Sequence, residues 1–82
     1  MVRLILKGPL LNAFKKDEFF VDETNLVRAI ERIDEHHIIT NNGRIRPGYL
    51  ILLNGKDVRL YGELLLLKES DIVEVIPVNH GG

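Results

Sequence analysis

Tyr49-Leu50-Ile51-Leu52-Leu53 is nearly continuous apolar sequence, and Asn54-Gly55 follows it at once. Such a run suits a strand inside a sheet, covered on one face by a helix and partly covered on the other. Asn-Gly accepts the positive φ that a two-residue hairpin demands. The chain is therefore expected to reverse tightly there, with Asp57 to Tyr61 returning as a shorter strand. The other segments have to be arranged around this pair.

Val2, Leu4 and Leu6 alternate with Arg3 and Lys7, the period of a half-buried strand. Gly8-Pro9 breaks it, and Leu10 to Lys16 reads as a hairpin connection. Asp17 to Asp22, centred on Phe19-Phe20-Val21, is expected to pair antiparallel with the first strand. From Asn25 to about His36 the period lengthens to that of a helix, with Leu26, Ile30, Ile33 and then His37 on one stripe. Thr24 or Asp22 is placed to cap it, and Asp34 falls on the polar side. Ile38 to Pro47 is a connector that holds the turn signal Asn42-Gly43. Glu63 to Leu67 is a second apolar segment, Lys68 to Asp71 a turn, and Ile72 to Val78 the last strand.

The first and last strands cannot both lie at an edge if both are well buried. Side by side and parallel, with the helix in a right-handed crossover, they satisfy the burial demand. The expected fold class is α+β: a mixed sheet of four to five strands packed on one main helix. Residues 1-78 form the domain, and 79-82 are expected to be a flexible tail.

The 82 residues are enough for one domain, burying roughly 60–65% of the unfolded surface. That leaves no room for a deep active-site cleft. The formal net charge of −1 argues against nucleic acid or an anionic membrane as a direct partner. No apolar run approaches a membrane span, and no signal-peptide pattern opens the chain. The absence of cysteine excludes disulfides, thiolate metal sites and thiol catalysis, and fits a cytoplasmic protein. No metal-ligand constellation stands out, because His36 and His37 are adjacent and diverge on a helix. No nucleophile–base pairing, phosphate-binding loop or acid pair gives catalysis in cis.

The chemistry concentrates in Gly81-Gly82, with Gly82 expected to carry a free carboxylate. A carboxylate is a poor electrophile until it is joined to ATP as an acyl-adenylate. An enzyme doing so must thread the end of the chain through a narrow cleft, and only glycine lets the backbone pass without a Cβ. By composition a Gly-Gly end arises by chance in roughly 0.5% of chains.

Three runs carry a family resemblance. They are Arg46 to Asp57 (RPGYLILLNGKD), Leu67 to Val73 (LKESDIV) and Pro77 to Gly82 (PVNHGG). Together they resemble the ubiquitin-like sulfur carriers: the small subunit of molybdopterin synthase, the thiamine-pathway sulfur carrier and the ubiquitin-related modifier. Arg46-Pro47-Gly48 and His80-Gly81-Gly82 look like the ubiquitin-related modifier, whereas Ile76-Pro77-Val78 looks like the molybdopterin synthase subunit. Ser70 departs from the pattern, standing where these families often have glycine. The likeness is strong over the C-terminal half and is one of element order over the N-terminal half.

The resemblance implies a ubiquitin-like β-grasp. It also implies that an E1-like adenylyltransferase activates the Gly82 carboxylate with ATP, and that a sulfur donor replaces AMP to leave a thiocarboxylate. The sulfur would pass to a tRNA-thiolation enzyme or another sulfur-accepting enzyme, in molybdopterin or thiamine biosynthesis. Alternatively the activated carboxyl joins target-protein lysines. A third reading is a plain β-grasp interaction module with an incidental tail. On each of these the chain is a co-substrate or module, not an enzyme, with no bound cofactor and a monomer when free.

Asn79 and His80 are assigned to tail recognition, with His80 read by shape rather than used as an acid or base. Asn54 is expected to serve its turn, and Asp71 to bind nearby backbone N–H groups. Arg44, Arg46, Lys56 and Arg59 are read as solvated charge. Leu64 to Leu67 exceeds what one buried face needs, so Leu60 and Leu65 either form a partner surface or fill a second small core.

Overall fold

The structure is a computed structural model, and it describes residues 1–62 and 65–78. The expected tail, residues 79-82, lies outside the described residues, as do Glu63 and Leu64. The elements are β1 (Val2–Leu6), α1 (Leu10–Phe14), β2 (Glu18–Val21), α2 (Leu26–Glu31), β3 (Thr40–Asn41), β4 (Arg44–Ile45), β5 (Tyr49–Leu53), β6 (Lys56–Asp57), a 3-10 turn (Val58–Leu60) and β7 (Ile72–Pro77).

Five strands form one mixed sheet in the order β2-β1-β7-β5-β6, and β3-β4 is a separate two-stranded hairpin. The first and last strands lie side by side and parallel, as the burial argument requires, with Leu4 opposite Val73 and Leu6 opposite Val75. β5 flanks β7 on its other side, antiparallel, with Tyr49 opposite Pro77 and Leu53 opposite Val73. β7 is thus the middle strand and is paired along both edges. This is the β-grasp arrangement.

The period-two pattern explains the layering. Val2, Leu4 and Leu6 of β1, Ile51 and Leu53 of β5, and Val73 and Val75 of β7 are buried together. Ala29 and Ile30 of α2 close over them, with Leu10, Val21, Ile39 and Leu67 completing the core.

Several expectations are corrected. Leu10 to Lys16 does connect β1 and β2 as an antiparallel pair, but within it Leu10–Phe14 is a short helix that was not expected. Its five residues are too few to display a helical period, and the chain enters it through Gly8 at φ +59 and leaves through Lys15 at φ +67. Asn25, rather than Thr24 or Asp22, caps α2: its Oδ1 accepts the Arg28 N–H at 3.0 Å. α2 stops at Glu31, not near His36.

Asp34 explains the early stop. It is not on a polar face but 2% exposed. Its carboxylate accepts the N–H groups of Ile38 (2.8 Å), Ile39 (2.9 Å) and Thr40 (2.6 Å) and the Thr40 hydroxyl (2.8 Å). A side chain that supplies these acceptors competes with helix continuation. The Ile33 and Asp34 N–H groups then bond three residues back, to Ile30 and Glu31, tightening the last turn. His37, expected on the helical stripe, is exposed with φ +54.

The connector holds the β3–β4 hairpin at Asn42-Gly43. The expected return strand Asp57 to Tyr61 is only Lys56–Asp57, because Asp57 Oδ1 accepts the Arg59 N–H and turns the chain into the 3-10 segment.

Candidate functional site at the root of the C-terminal segment

β7 delivers the chain to Val78, the last residue described, from the middle of the sheet. Val78 is exposed, but its N–H donates to the Gly48 carbonyl oxygen at 2.8 Å. One residue earlier, Pro77 pairs with Tyr49. As a proline it has no N–H of its own to donate, and the ladder to β5 is continued by the next residue, Val78. The root of residues 79–82 is therefore anchored on the loop Arg46-Pro47-Gly48, one of the runs that carry the family likeness.

A cleft of about 520 Å³ lies against this root, lined among others by Arg46, Gly48, Tyr49, Val58, Arg59 and Val78. Tyr49 Oη donates to the Ile38 carbonyl oxygen at 3.0 Å, tying β5 to the loop that Asp34 organises. Burial, and then the Asp34 charge, push the Tyr49 hydroxyl above its ordinary value, against the opposing Arg46. Arg46 Nε donates to the His37 carbonyl oxygen at 2.9 Å. Arg59 closes on Asp57, Nη2 to Oδ2 at 2.6 Å, and its hydrogen bonds hold that carboxyl below the usual range. Arg44 and Lys56 are exposed, as the solvated-charge reading expects.

Burial works against ionised Asp34. The hydrogen bonds from Thr40, Ile38 and Ile39 outweigh it and hold the carboxyl below its ordinary value. Asp34 sets this part of the scaffold and was hidden in the sequence by a charged residue's usual preference for solvent. The only local signal was its spacing, four to six residues before the amides it binds.

Gly81, Gly82, Asn79 and His80, the residues assigned to activation and tail recognition, lie outside the described residues. The two leucines of the partner surface separate. Leu60 is 78% exposed, whereas Leu65 is half-buried and packed against the core. Leu66, which the sequence reading did not single out, is 66% exposed. The reason is local: Leu65 to Lys68 is irregular chain, so its side chains need not alternate as in a strand.

Asn54 and Asp71, read as independent turn residues, hold each other. Asn54 Nδ2 donates to Asp71 Oδ1 at 2.9 Å, and Asn54 Oδ1 accepts the Ile72 N–H at 2.9 Å. The second Asp71 oxygen accepts the Lys68 N–H at 2.7 Å. Ser70, in the position where the family pattern has glycine, sits at φ +70. The turn thus keeps the left-handed conformation without the residue that favours it.

Among the described residues no three His, Asp or Glu side chains gather as metal ligands, and no helix is long and apolar enough to cross a membrane.

The comparisons with known proteins agree with this geometry. The chain is similar to solved Urm1 of Sulfolobus solfataricus, with 42% identity, TM-score 0.82, and coverage of 93% of this chain and 99% of that one. It shares its fold with small archaeal modifier protein 1 of Methanosarcina acetivorans, with 23% identity, TM-score 0.83, and coverage of 99% and 95%. It also shares its fold with a chain of the BexX/CysO complex of Amycolatopsis orientalis, with 17% identity, TM-score 0.75 and full coverage of both chains. Among curated relatives, ubiquitin-related modifier 1 of Laccaria bicolor is 40% identical over 50 residues, 60% of this chain. The homolog of Bombyx mori is 35% identical over 51 residues, 61% of this chain. The chain spans less than half the length of these two proteins in the matches, 41% and 47%. The model of the ubiquitin related modifier family, Urm1, matches residues 6–82, and with the β-grasp described above this makes the chain a member of that family.

Proposed function

We propose that this chain is a sulfur carrier whose Gly82 carboxylate is the reacting group. The observation that carries the reading is the likeness to Sulfolobus solfataricus Urm1 across nearly the whole of both chains. In the first step the carboxylate oxygen attacks the α-phosphorus of ATP on an E1-like adenylyltransferase. Pyrophosphate leaves and an acyl-adenylate forms. In the second, a sulfide-level donor attacks the carbonyl carbon and AMP departs with the C–O electron pair, leaving a thiocarboxylate. A tRNA-thiolation enzyme, or another sulfur-accepting enzyme, then takes the sulfur, and water adds to the carbonyl carbon as the C–S bond breaks, so that the carboxylate returns. The chain is a co-substrate that holds no cofactor and works in the cytoplasm.

The chain's own residues position the reaction. The bond from Val78 to Gly48 holds the root at the sheet. Residues 1-78 serve as the handle, and 79-82 are the part that enters the activating enzyme. Asn79 and His80 provide recognition, while Gly81 and Gly82 keep the approach narrow. Leu60, exposed beside Arg59, is proposed as part of the docking surface for that enzyme.

A second reading, favoured by the modifier names of the relatives, uses the same adenylate. A target lysine Nζ displaces AMP and forms an isopeptide bond. The CysO structure is of a complex, which supports a protein partner.

The test is intact mass after incubation with ATP, a sulfide source and the E1-like enzyme of the same cell. The expected result is the sulfur-for-oxygen mass gain, lost on deleting Gly82. No change, with the enzyme shown active on another carrier, overturns the sulfur reading.

A further inference from the structure

The chain contains two Asn-Gly dipeptides, Asn42-Gly43 and Asn54-Gly55, each at the tip of a two-residue hairpin. Their backbones are alike. Asn42 and Asn54 have φ of +52 and +50, and Gly43 and Gly55 have φ of +75 and +85. Both glycines face open space, where a Cβ would meet no atom beyond the adjoining residues within 4 Å. Both asparagines are exposed. Their side chains differ. Asn54 is held at both ends, its Nδ2 by Asp71 and its Oδ1 by the Ile72 N–H, each at 2.9 Å. Among the described residues, the Asn42 side chain makes no hydrogen bond.

We propose that Asn42 is a site of spontaneous covalent modification and that the fold protects Asn54 from the same reaction. The backbone nitrogen of Gly43 attacks Cγ of Asn42, forming an N–Cγ bond as its proton passes to a solvent base. The side-chain amide nitrogen takes up a proton and leaves as ammonia, closing a succinimide. Water opens the ring to aspartate or isoaspartate. No oxidant, reductant or cofactor enters. Glycine at the following position places no side chain in the path of the attack.

The reaction needs the side chain to swing its Cγ towards the next backbone nitrogen, a near-attack geometry. At Asn54 that swing breaks two hydrogen bonds and frees the β7 end of the clamp. At Asn42 it breaks none. The backbone gives the same answer. Asn42 tops a ladder of two residue pairs, Thr40 with Ile45 and Asn41 with Arg44, outside the main sheet. Asn54 tops an equally short ladder, Leu52 with Asp57 and Leu53 with Lys56, but its β5 also pairs with β7 along five residues. The base of the β3–β4 ladder is held at Thr40 by Asp34, so it is the tip at Asn42 that frays, without a neighbouring strand to back it as β7 backs β5.

Conversion adds one negative charge to the formal net charge of −1 and puts it in the hairpin that carries Arg44, on a surface shared with Arg46 of the following loop. Arg46 is part of the loop that anchors Val78, so the modification bears on the root of the C-terminal segment rather than on the core.

The test is prolonged incubation of the full chain at neutral pH, followed by peptide mapping that separates aspartate from isoaspartate at each position. In the native state Asn42 is expected to convert about tenfold faster than Asn54 or more, the factor one net side-chain hydrogen bond supplies. In concentrated urea the two rates are expected to converge. Asp71→Ala is expected to speed conversion at Asn54 and leave Asn42 unchanged, and the urea comparison stands alone where that variant unfolds. Equal native rates, a preference for Asn54, or a ratio that survives in urea overturns the proposal. So does an Asn42 that converts in urea but not in the folded chain.

Discussion

Asn54 and Asp71 face each other across 17 residues of sequence and join the tip of the β5–β6 hairpin to the start of β7 through a 2.9 Å amide–carboxylate bond. Each also caps backbone: Asn54 accepts from Ile72, and Asp71 accepts from Lys68. The pair fixes where the middle strand begins.

Asn54→Ala removes two hydrogen bonds and leaves a non-glycine residue at positive φ. The expected loss is about 1–3 kcal/mol, read from urea unfolding. In a double-mutant cycle with Asp71→Ala the coupling is expected to be about 1 kcal/mol, because the pair is exposed. Strict additivity of the two single variants would show that the contact contributes nothing.

Ser70→Gly is expected to stabilise the chain. Ser70 holds φ +70, a conformation that costs an L-residue about 1–2 kcal/mol, while glycine's extra freedom when unfolded returns about 0.4–1 kcal/mol of that. A net gain of roughly 0.5–1 kcal/mol should raise the urea midpoint with m unchanged. A lower midpoint would mean that the serine makes an interaction worth more than its backbone strain.

Asp34→Ala strips the partner from four donors in a buried site. The expected cost is about 3–5 kcal/mol, since unsatisfied buried polar groups lose their full desolvation penalty. The pH dependence has a definite sign. The folded Asp34 carboxyl titrates below its ordinary 3.8, so its contribution is complete above that pH. It is lost as pH falls from there through the lower folded value. Stability followed by urea titration from neutral to acid pH should therefore show a descending limb that Asp34→Ala flattens.

Leu60→Glu and Leu65→Glu should part company. Leu60 is exposed and its substitution is expected to move stability by less than about 0.5 kcal/mol, whereas Leu65 touches the core and should lose about 1–3 kcal/mol. Thermal unfolding separates them. Loss of adenylation in Leu60→Glu with an unchanged Tm would place Leu60 on the docking surface. Full activity would remove it.

The parallel pairing of β1 with β7 was legible because the two strands could not both be buried at an edge, and the β5–β6 turn and the face of Val2, Leu4 and Leu6 because Asn-Gly and strict alternation report directly on backbone geometry. Two things were not. α1 is shorter than the window in which a helical period shows. The end of α2 depended on Asp34, whose role lies in the distant amides it collects rather than in its own type. Leu65, which the sequence left open between a partner surface and a second small core, packs against the core, in a stretch that is irregular rather than a strand. At the candidate site the sequence proposes Gly81-Gly82 and an activated carboxylate, and those residues lie outside the described ones. The structure adds the root, in the bond from Val78 to Gly48 that no spacing rule would suggest.

A load applied to the end of this chain enters the fold at β7. That strand is gripped by β1 on one edge and β5 on the other, and a pull along it strains both ladders in shear, many bonds at once, instead of peeling them one by one. An edge strand would unzip. A pull that reaches the fold through Val78 is therefore shared between two ladders instead of falling on one.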